Sequence, residues 1–387
     1  MTQNINRRSW LRSTALLTTG LVAAPALTSL EAATSKSKFQ NVGAWEIDLP
    51  YNPMANELKA RLLANENPFG PSESAKKAIM ESITNGNRYG HGQAAELRKL
   101  IAKKEGVSEE HILLAPGSTD ILEKTAIALF YKGGNVVSAD PAYMSLIKTA
   151  QRFDADWRKV PLTNEWAHDL EGMASAVNRK TKMVYICNPN NPTGSITDNQ
   201  KLRDFCSTVS DKVPVFVDEA YLEFLDKSEE KTMVNLIKKG KNVIVARTFS
   251  KIHAMAGLRI GYMVALPETI EMITSMVRSN MGLCVTSMMG AMASLQDTEF
   301  QMNSKKWTAE GREQVYTALE SMGFDYVPSY TSFILFPIAM QGQPFLKKMF
   351  AHGIGVRAFE VFGKPYCRVS MGTQEELSMF SDALKKV

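Results

Sequence analysis

From residue 73 to about residue 270, the apolar positions alternate between two periods. Residues 73–84 set Ala75, Ala78, Ile79 and Ile83 on one face. Residues 94–104 do the same with Leu97, Leu100 and Ile101, and residues 118–131 with Ile121, Leu122, Thr125 and Leu129. Spacings of three and four are those of a helix with one buried stripe. Between and after these segments lie short β-branched runs at 135–138, 182–187, 214–218, 242–247 and 259–265, apolar almost throughout. Strands covered on both faces have that pattern, so the chain is predicted to be α/β, with a mostly parallel sheet between helices. Past about residue 285 the order changes. Two helical patterns run to about Met322, followed by a strand at 332–337, a helix at 344–352, strands near 354–357 and 367–371, and a last helix. That segment reads as a smaller α+β domain. The predicted division is an N-terminal leader at 1–33, an arm that also contributes to the small domain at 34–70, a large domain at 71–284 and a small domain at 285–387.

The leader departs from this pattern. Asn6-Arg7-Arg8-Ser9-Trp10-Leu11-Arg12 is followed by a small-residue, modestly apolar stretch from Ala15 to about Leu30. It is too short and too weakly apolar for a stable bilayer span. A charged start, an apolar middle and small residues at the end are the parts of a secretory signal. Adjacent arginines before Trp10-Leu11 resemble the twin-arginine export signal, so export, to the periplasm, is expected. Cleavage after Ala26 and cleavage near Ala32–Ala33 both fit.

Composition narrows the function classes. A 44% hydrophobic, 22% charged chain of 387 residues is globular, with ample material for a core. The net charge of +5 falls to about +3 without the leader, and no basic block tracks along the chain, so a nucleic-acid partner is not expected. Cys187, Cys206, Cys284 and Cys367 lie far apart, without a Cys-x-x-Cys pair, and are expected to be mostly free thiols. The five histidines form no His-Glu-x-x-His, and no metal site is expected. Gly90-His91-Gly92-Gln93-Ala94-Ala95 has dinucleotide-loop spacing but follows a turn rather than a strand. No P-loop, no Gly-x-Ser-x-Gly and no serine hydrolase companion motif occurs.

Three segments sit at the ends of predicted strands, where open α/β sheets place their sites. They are Asn188-Pro189-Asn190-Asn191-Pro192-Thr193-Gly194, Asp218-Glu219-Ala220-Tyr221, and Thr248-Phe249-Ser250-Lys251 with Gly257-Leu258-Arg259 close behind. A lysine after a buried strand must lose its proton or bond covalently to a carbonyl. A carboxylate on the neighbouring strand can keep a ring nitrogen protonated, and a tyrosine three residues on can donate to a phenolic oxygen. Hydroxyls and a nearby arginine can hold a phosphate. Those are the parts a pyridoxal phosphate site needs.

In these motifs, and in Ala64-Asn65-Glu66-Asn67-Pro68 and Asn87-Arg88-Tyr89, the chain resembles the fold-type-I, class I/II pyridoxal phosphate aminotransferases, and most of all the histidinol-phosphate aminotransferase-like subgroup. The resemblance covers about residues 45–387. It implies that Lys251 is the Schiff-base lysine, that Asp218 pairs with the pyridine nitrogen, and that Tyr221 and Asn191 bind the phenolic oxygen. It places Tyr143 on the ring, and Ser118, Thr119, Thr248, Ser250 and Arg259 around the phosphate. Tyr89 matches a tyrosine that reaches the partner subunit's phosphate site, which implies a homodimer with shared sites. Arg368 matches the arginine that grips the substrate's acidic group, Arg357 a second arginine of the subgroup, and Asn65 and Glu66 the lining of the substrate entrance. The implied reaction moves an amino group between an amino acid, or an amino-alcohol phosphate, and a 2-oxo acid. Histidinol-phosphate transamination itself, decarboxylation or lyase chemistry on the same cofactor, and cofactor binding without turnover remain alternatives. One departure bears on substrate: Ser118-Thr119-Asp120 follows Gly117, where the subgroup often has Asp-Glu.

Overall fold

The computed structural model describes residues 45–47, 58–278 and 282–387, so the leader and both cleavage positions lie outside the described residues. A seven-stranded sheet is built from β1 (Ile112–Ala115), β2 (Gly134–Asp140), β3 (Ala155–Pro161), β4 (Thr181–Cys187), β5 (Val215–Asp218), β6 (Val243–Thr248) and β7 (Gly261–Val264). Its order is β1-β7-β6-β5-β4-β2-β3. The pairs from β3 through β6 are parallel, whereas β7 runs antiparallel to both β6 and β1.

Side chains of a strand alternate between faces, and the two cores follow that alternation. Val184, Ile186, Val215, Val217, Val243 and Val245 join a core with the apolar faces of the helices His91–Glu105, Asn199–Val209 and Val285–Gln296. Met183, Tyr185, Phe216, Ile244 and Ala246 join the other core with Ser118–Phe130 and Ser145–Gln151. Each fully buried Val, Ile or Phe contributes roughly 1.5–3 kcal/mol, so the central strands form a stiff base for whatever their ends carry.

A second sheet is antiparallel. It contains β8 (Phe333–Pro337), β9 (Arg357–Val361) and β10 (Lys364–Ser370), with the two-residue strand Trp45–Glu46 added at the β9 edge. Its core draws on the helices Gly342–Ala351 and Gln374–Leu384 and on the C-terminal half of Thr298–Ser321. The single strand expected near 354–357 is divided. Ile354–Gly355 pairs in parallel with Ala60–Arg61, and Arg357 opens a hairpin strand that continues to Val361. The strand expected from residue 259 starts at Gly261, because Arg259 adopts φ +49° and leaves the ladder. β1 and β3 are absent from the sequence reading. β3 is an edge strand that buries only Ala155 and Val160, so Ala155–Pro161 lacks the continuous apolar run of its neighbours. Among the described residues, no helix is long and apolar enough to cross a membrane. Cys187, Cys206, Cys284 and Cys367 are all free thiols.

Candidate active site

Register brings the strand ends together. Cys187 is the ladder partner of Asp218, and Asp218 of Ala246. Antiparallel pairing of β7 sets Gly261 beside Thr248 on one side and Ala115 on the other. The segments leaving β1, β4, β5 and β6, and the segment entering β7, therefore converge on one edge. There they line a cavity of about 670 Å³. Every site residue named from the sequence lines it except Tyr89, which is 80% exposed beside His91 and lies outside the cavity of its own chain.

One group of lining residues makes an anion cup. The helix Ser118–Phe130 begins directly after Gly117, and the free amides of a helix N-terminus attract a phosphate. Thr248 Oγ1 donates to Ser250 Oγ at 2.9 Å and accepts from the Ser250 amide at 3.1 Å, fixing the β6 exit. The Arg259 guanidinium donates to Ala256 O at 2.8 Å and reaches Ser250 Oγ and Pro116 O at 3.4 Å. Gly117 is favoured here by its φ of +89°, and a Cβ, 2.2 Å from Arg259 Nη2, would push the guanidinium out of the cup. Hydroxyls, helix amides and a guanidinium around a glycine approach fit a phosphate.

Beside the cup stand a lysine, an aspartate and a tyrosine. Lys251 Nζ donates to Asn65 O at 2.9 Å and Ala64 O at 3.4 Å. Burial, and after it the Arg368 charge, push the Lys251 amine down to about 8. It is thus a neutral nucleophile or proton carrier at a pH where an exposed lysine is not. Asp218 is 3% exposed, accepts from the Ala220 amide at 3.2 Å and from Tyr185 OH at 3.4 Å, and is pushed up to about 6 by burial. A buried carboxylate of that kind favours a cation placed against it. Tyr221 OH accepts from Asn65 Nδ2 at 3.0 Å, and its ring meets Phe333 edge-on. Tyr143 hydrogen-bonds Thr119, and burial raises its phenol above the usual range.

The second sheet supplies two arginines. Arg357 and Arg368 are ladder partners on β9 and β10, so they share a face, and both line the cavity. Arg368 Nη1 donates to Asn191 Oδ1 at 2.7 Å and Nη2 to Leu63 O at 3.1 Å. The Nε of each arginine is buried without an acceptor among the described residues. Donors of this kind suit a carboxylate or phosphate oxygen.

Several positioning residues carry no sequence signal. Ser370 accepts from the Asn65 amide at 2.8 Å and donates to Asn65 Oδ1 at 2.8 Å, which holds Asn65 at φ +54° against Tyr221. Tyr185, inside β4, looks like core in any hydrophobic pattern, yet its hydroxyl meets Asp218. Glu219 alternates to the other face of the sheet. It accepts from the Met233 amide at 2.7 Å, Thr232 Oγ1 at 2.8 Å and Arg247 Nε at 2.8 Å, which pins the backbone next to Asp218. Glu46 lines the cavity beside Arg357 and is likewise absent from the sequence reading.

The sequence profile of the family Aminotransferase class I and II matches residues 59–384. The chain belongs to this family. As in other class I and II aminotransferases, the cofactor is pyridoxal phosphate and the reaction is transamination. The chain is 35% identical over 332 residues to a histidinol-phosphate aminotransferase of Caldicellulosiruptor saccharolyticus, covering 86% of this chain and 92% of that one. It is 36% identical over 328 residues to histidinol-phosphate aminotransferase 2 of Haemophilus influenzae, covering 84% and 89%. The crystal structure of the Sinorhizobium meliloti histidinol-phosphate aminotransferase in complex with pyridoxal 5'-phosphate superposes with a TM-score of 0.78. That match is 26% identical and covers 85% of this chain and 90% of the other.

The aminotransferase assignment makes the Asn65–Tyr221 contact testable. Tyr221→Phe keeps the ring against Phe333 but leaves the buried Asn65 Nδ2 without its acceptor, so a stability loss of about 1–3 kcal/mol accompanies it. The turnover number is expected to fall about ten- to a hundredfold, the worth of a hydrogen bond to a charged group. Steady-state kinetics alongside a melting curve separate the two effects.

Proposed function

We propose that this aminotransferase acts on amino donors carrying an acidic group, passes the amino group to a 2-oxo acid, and works as an exported homodimer. The observation that carries the substrate class is the register pairing of Arg357 and Arg368 at the cavity. A bidentate guanidinium suits carboxylate or phosphate, and two on one face suit a substrate acidic at both ends. The exposed Tyr89 ring supports the dimer, in which it would reach the partner's phosphate cup. Arg7-Arg8 and the apolar stretch after them support export. In this reading residues 71–284 carry the cofactor, and residues 285–387 with the strands before residue 70 carry the acid grip.

Pyridoxal phosphate, when bound, supplies an aldehyde for amine exchange and a protonated ring that withdraws electrons from the substrate's α-carbon. Ser118, Thr119, Thr248, Ser250 and Arg259 would hold its phosphate, Tyr143 its ring face, Asp218 its ring nitrogen, and Tyr221 and Asn191 its phenolic oxygen. Lys251 would hold it covalently at rest. The rest of the work belongs to the chain's own groups. Asp218 keeps a positive charge in place by remaining ionised against it. Arg368 orients the α-carboxylate, and Asn191, bonded to Arg368, couples the substrate grip to the cofactor. Lys251, once its amine is free and neutral, takes a proton from one carbon and returns it to another.

Purified protein loaded with pyridoxal phosphate is expected to be yellow and to bleach more readily with glutamate, aspartate or histidinol phosphate than with leucine, whose only acidic group is its α-carboxylate. Histidinol phosphate is included because both named relatives are histidinol-phosphate aminotransferases. Bleaching with leucine as readily as with the acidic donors overturns the acidic-substrate reading. Stoichiometric carbon dioxide without a keto acid turns it to decarboxylation.

A further inference from the structure

Three carboxylates line the cavity, and two of them have settled roles. Asp218 lies at the end of β5 with Tyr185, and Glu66 is paired to Arg61 at 3.0 Å. The third is Glu46. Its Oε1 stands 3.0 Å from Arg357 Nη1. It lies on the two-residue strand that pairs Trp45 with Glu360 and Glu46 with Phe359, so the ladder itself delivers the carboxylate to the arginine's strand. The Glu46 side chain is 43% exposed and that of Arg357 27%, so water can take over the carboxylate if the pair opens. Arg368, seated on Asn191 and Leu63 O, has no carboxylate at hydrogen-bond distance among the described residues, and feels the Glu46 charge only from further off.

The two arginines are therefore unequal. Arg368 is a fixed cation, while Arg357 is already neutralised. We propose that Glu46 is a specificity-determining counter-ion that competes with the second acidic group of a substrate for Arg357. The inference rests on the acidic-grip reading above and deepens it. A substrate with one carboxylate takes Arg368 and meets a neutral Glu46–Arg357 pair, not an uncompensated cation. A substrate with two acidic groups takes Arg357 as well, and Glu46 turns out to solvent. Replacing one carboxylate by another on the same guanidinium leaves little net gain, so Glu46 limits the affinity for dianions while allowing them to enter. An aminotransferase needs one cavity for two different partners, and a displaceable internal carboxylate meets that need without moving the fixed grip.

The test uses the pyridoxal phosphate-loaded enzyme and two acids that carry neither an amino nor a keto group, glutarate and butyrate, titrated by calorimetry. Glu46→Gln is expected to tighten glutarate by about two- to fivefold, the scale of a partly exposed charge pair, and to leave butyrate unchanged. Adding Arg357→Gln to Glu46→Gln is expected to erase that gain. The inference is overturned if glutarate is unchanged or weaker in Glu46→Gln, or if butyrate gains equally. Should the wild-type enzyme bind neither acid, the acidic-grip reading fails and takes this inference with it. Binding of both acids without the differential sinks the inference alone.

Discussion

Lys251→Ala lowers turnover by at least about a thousandfold, the range of a lost proton-transferring group, and leaves a folded protein. Among the described residues, the Lys251 amine hydrogen-bonds the carbonyls of Ala64 and Asn65 and lies over the Tyr221 ring, so removing it breaks no ion pair at contact distance. The loss has to appear in the half-reaction with donor alone, which single-turnover bleaching measures. Added methylamine is expected to restore part of the rate, since a small free amine can enter the space and carry the proton. The same amine predicts a pH dependence for the wild type. Burial and Arg368 hold Lys251 near 8, so the neutral, reactive fraction grows as pH rises through about 8. For an exposed lysine that rise comes above about pH 10. Uptake of pyridoxal phosphate by the cofactor-free protein should accelerate over that lower window. A rate that climbs only above pH 10, or Lys251→Ala retaining a tenth of wild-type turnover, rules out Lys251 as the working amine.

The legible parts of this site are those tied to a strand end by a short motif. Asp218, Asn191 and Lys251 end or follow β-branched runs that could be read from their apolar continuity, and Arg259 opens another, so both their approximate position and their chemistry were visible. Arg357 and Arg368 were visible only as residue types. Their shared face comes from the β9–β10 ladder, and the extent of that hairpin was missed because Arg357 opens a strand whose neighbours Ile354 and Gly355 pair elsewhere. Ser370, Tyr185 and Glu219 act through partners far away in sequence: Ser370 lies 305 residues from Asn65, and Tyr185 33 residues from Asp218. No local period encodes such contacts. Glu46 was illegible for the same reason, since only strand pairing sets it against Arg357. Tyr89 is a different case. Its proposed task lies in a second copy of the chain, and within one chain its ring is simply exposed.

Asp218→Asn is expected to move activity and stability in opposite directions. Turnover falls by about a hundred- to ten-thousandfold, because a neutral amide no longer favours the positive charge that draws electrons from the substrate. The cofactor-free protein, by contrast, becomes more stable at neutral pH. Burial raises the Asp218 carboxyl from 3.8 to about 6. An acid whose folded pKa is raised holds its proton more tightly when folded, so its contribution is fully present below about pH 4 and is lost as pH rises through 6. Above pH 6 the buried charge costs on the order of 3 kcal/mol. An amide removes that penalty: its oxygen still accepts from the Ala220 amide, and its NH2, standing where Oδ2 now accepts from Tyr185, donates to the Tyr185 hydroxyl oxygen instead. Melting curves of cofactor-free wild type and Asp218→Asn should therefore converge near pH 4 and separate by pH 7, with the variant higher. Loading with pyridoxal phosphate should raise the wild-type melting point more than the variant's, since only the carboxylate gains a full charge partner. A variant that is less stable than wild type at pH 7 would mean that the Asp218 charge is already compensated within the chain. A variant that keeps wild-type turnover would remove Asp218 from the chemistry altogether, and with it the reason for a carboxylate at the end of β5.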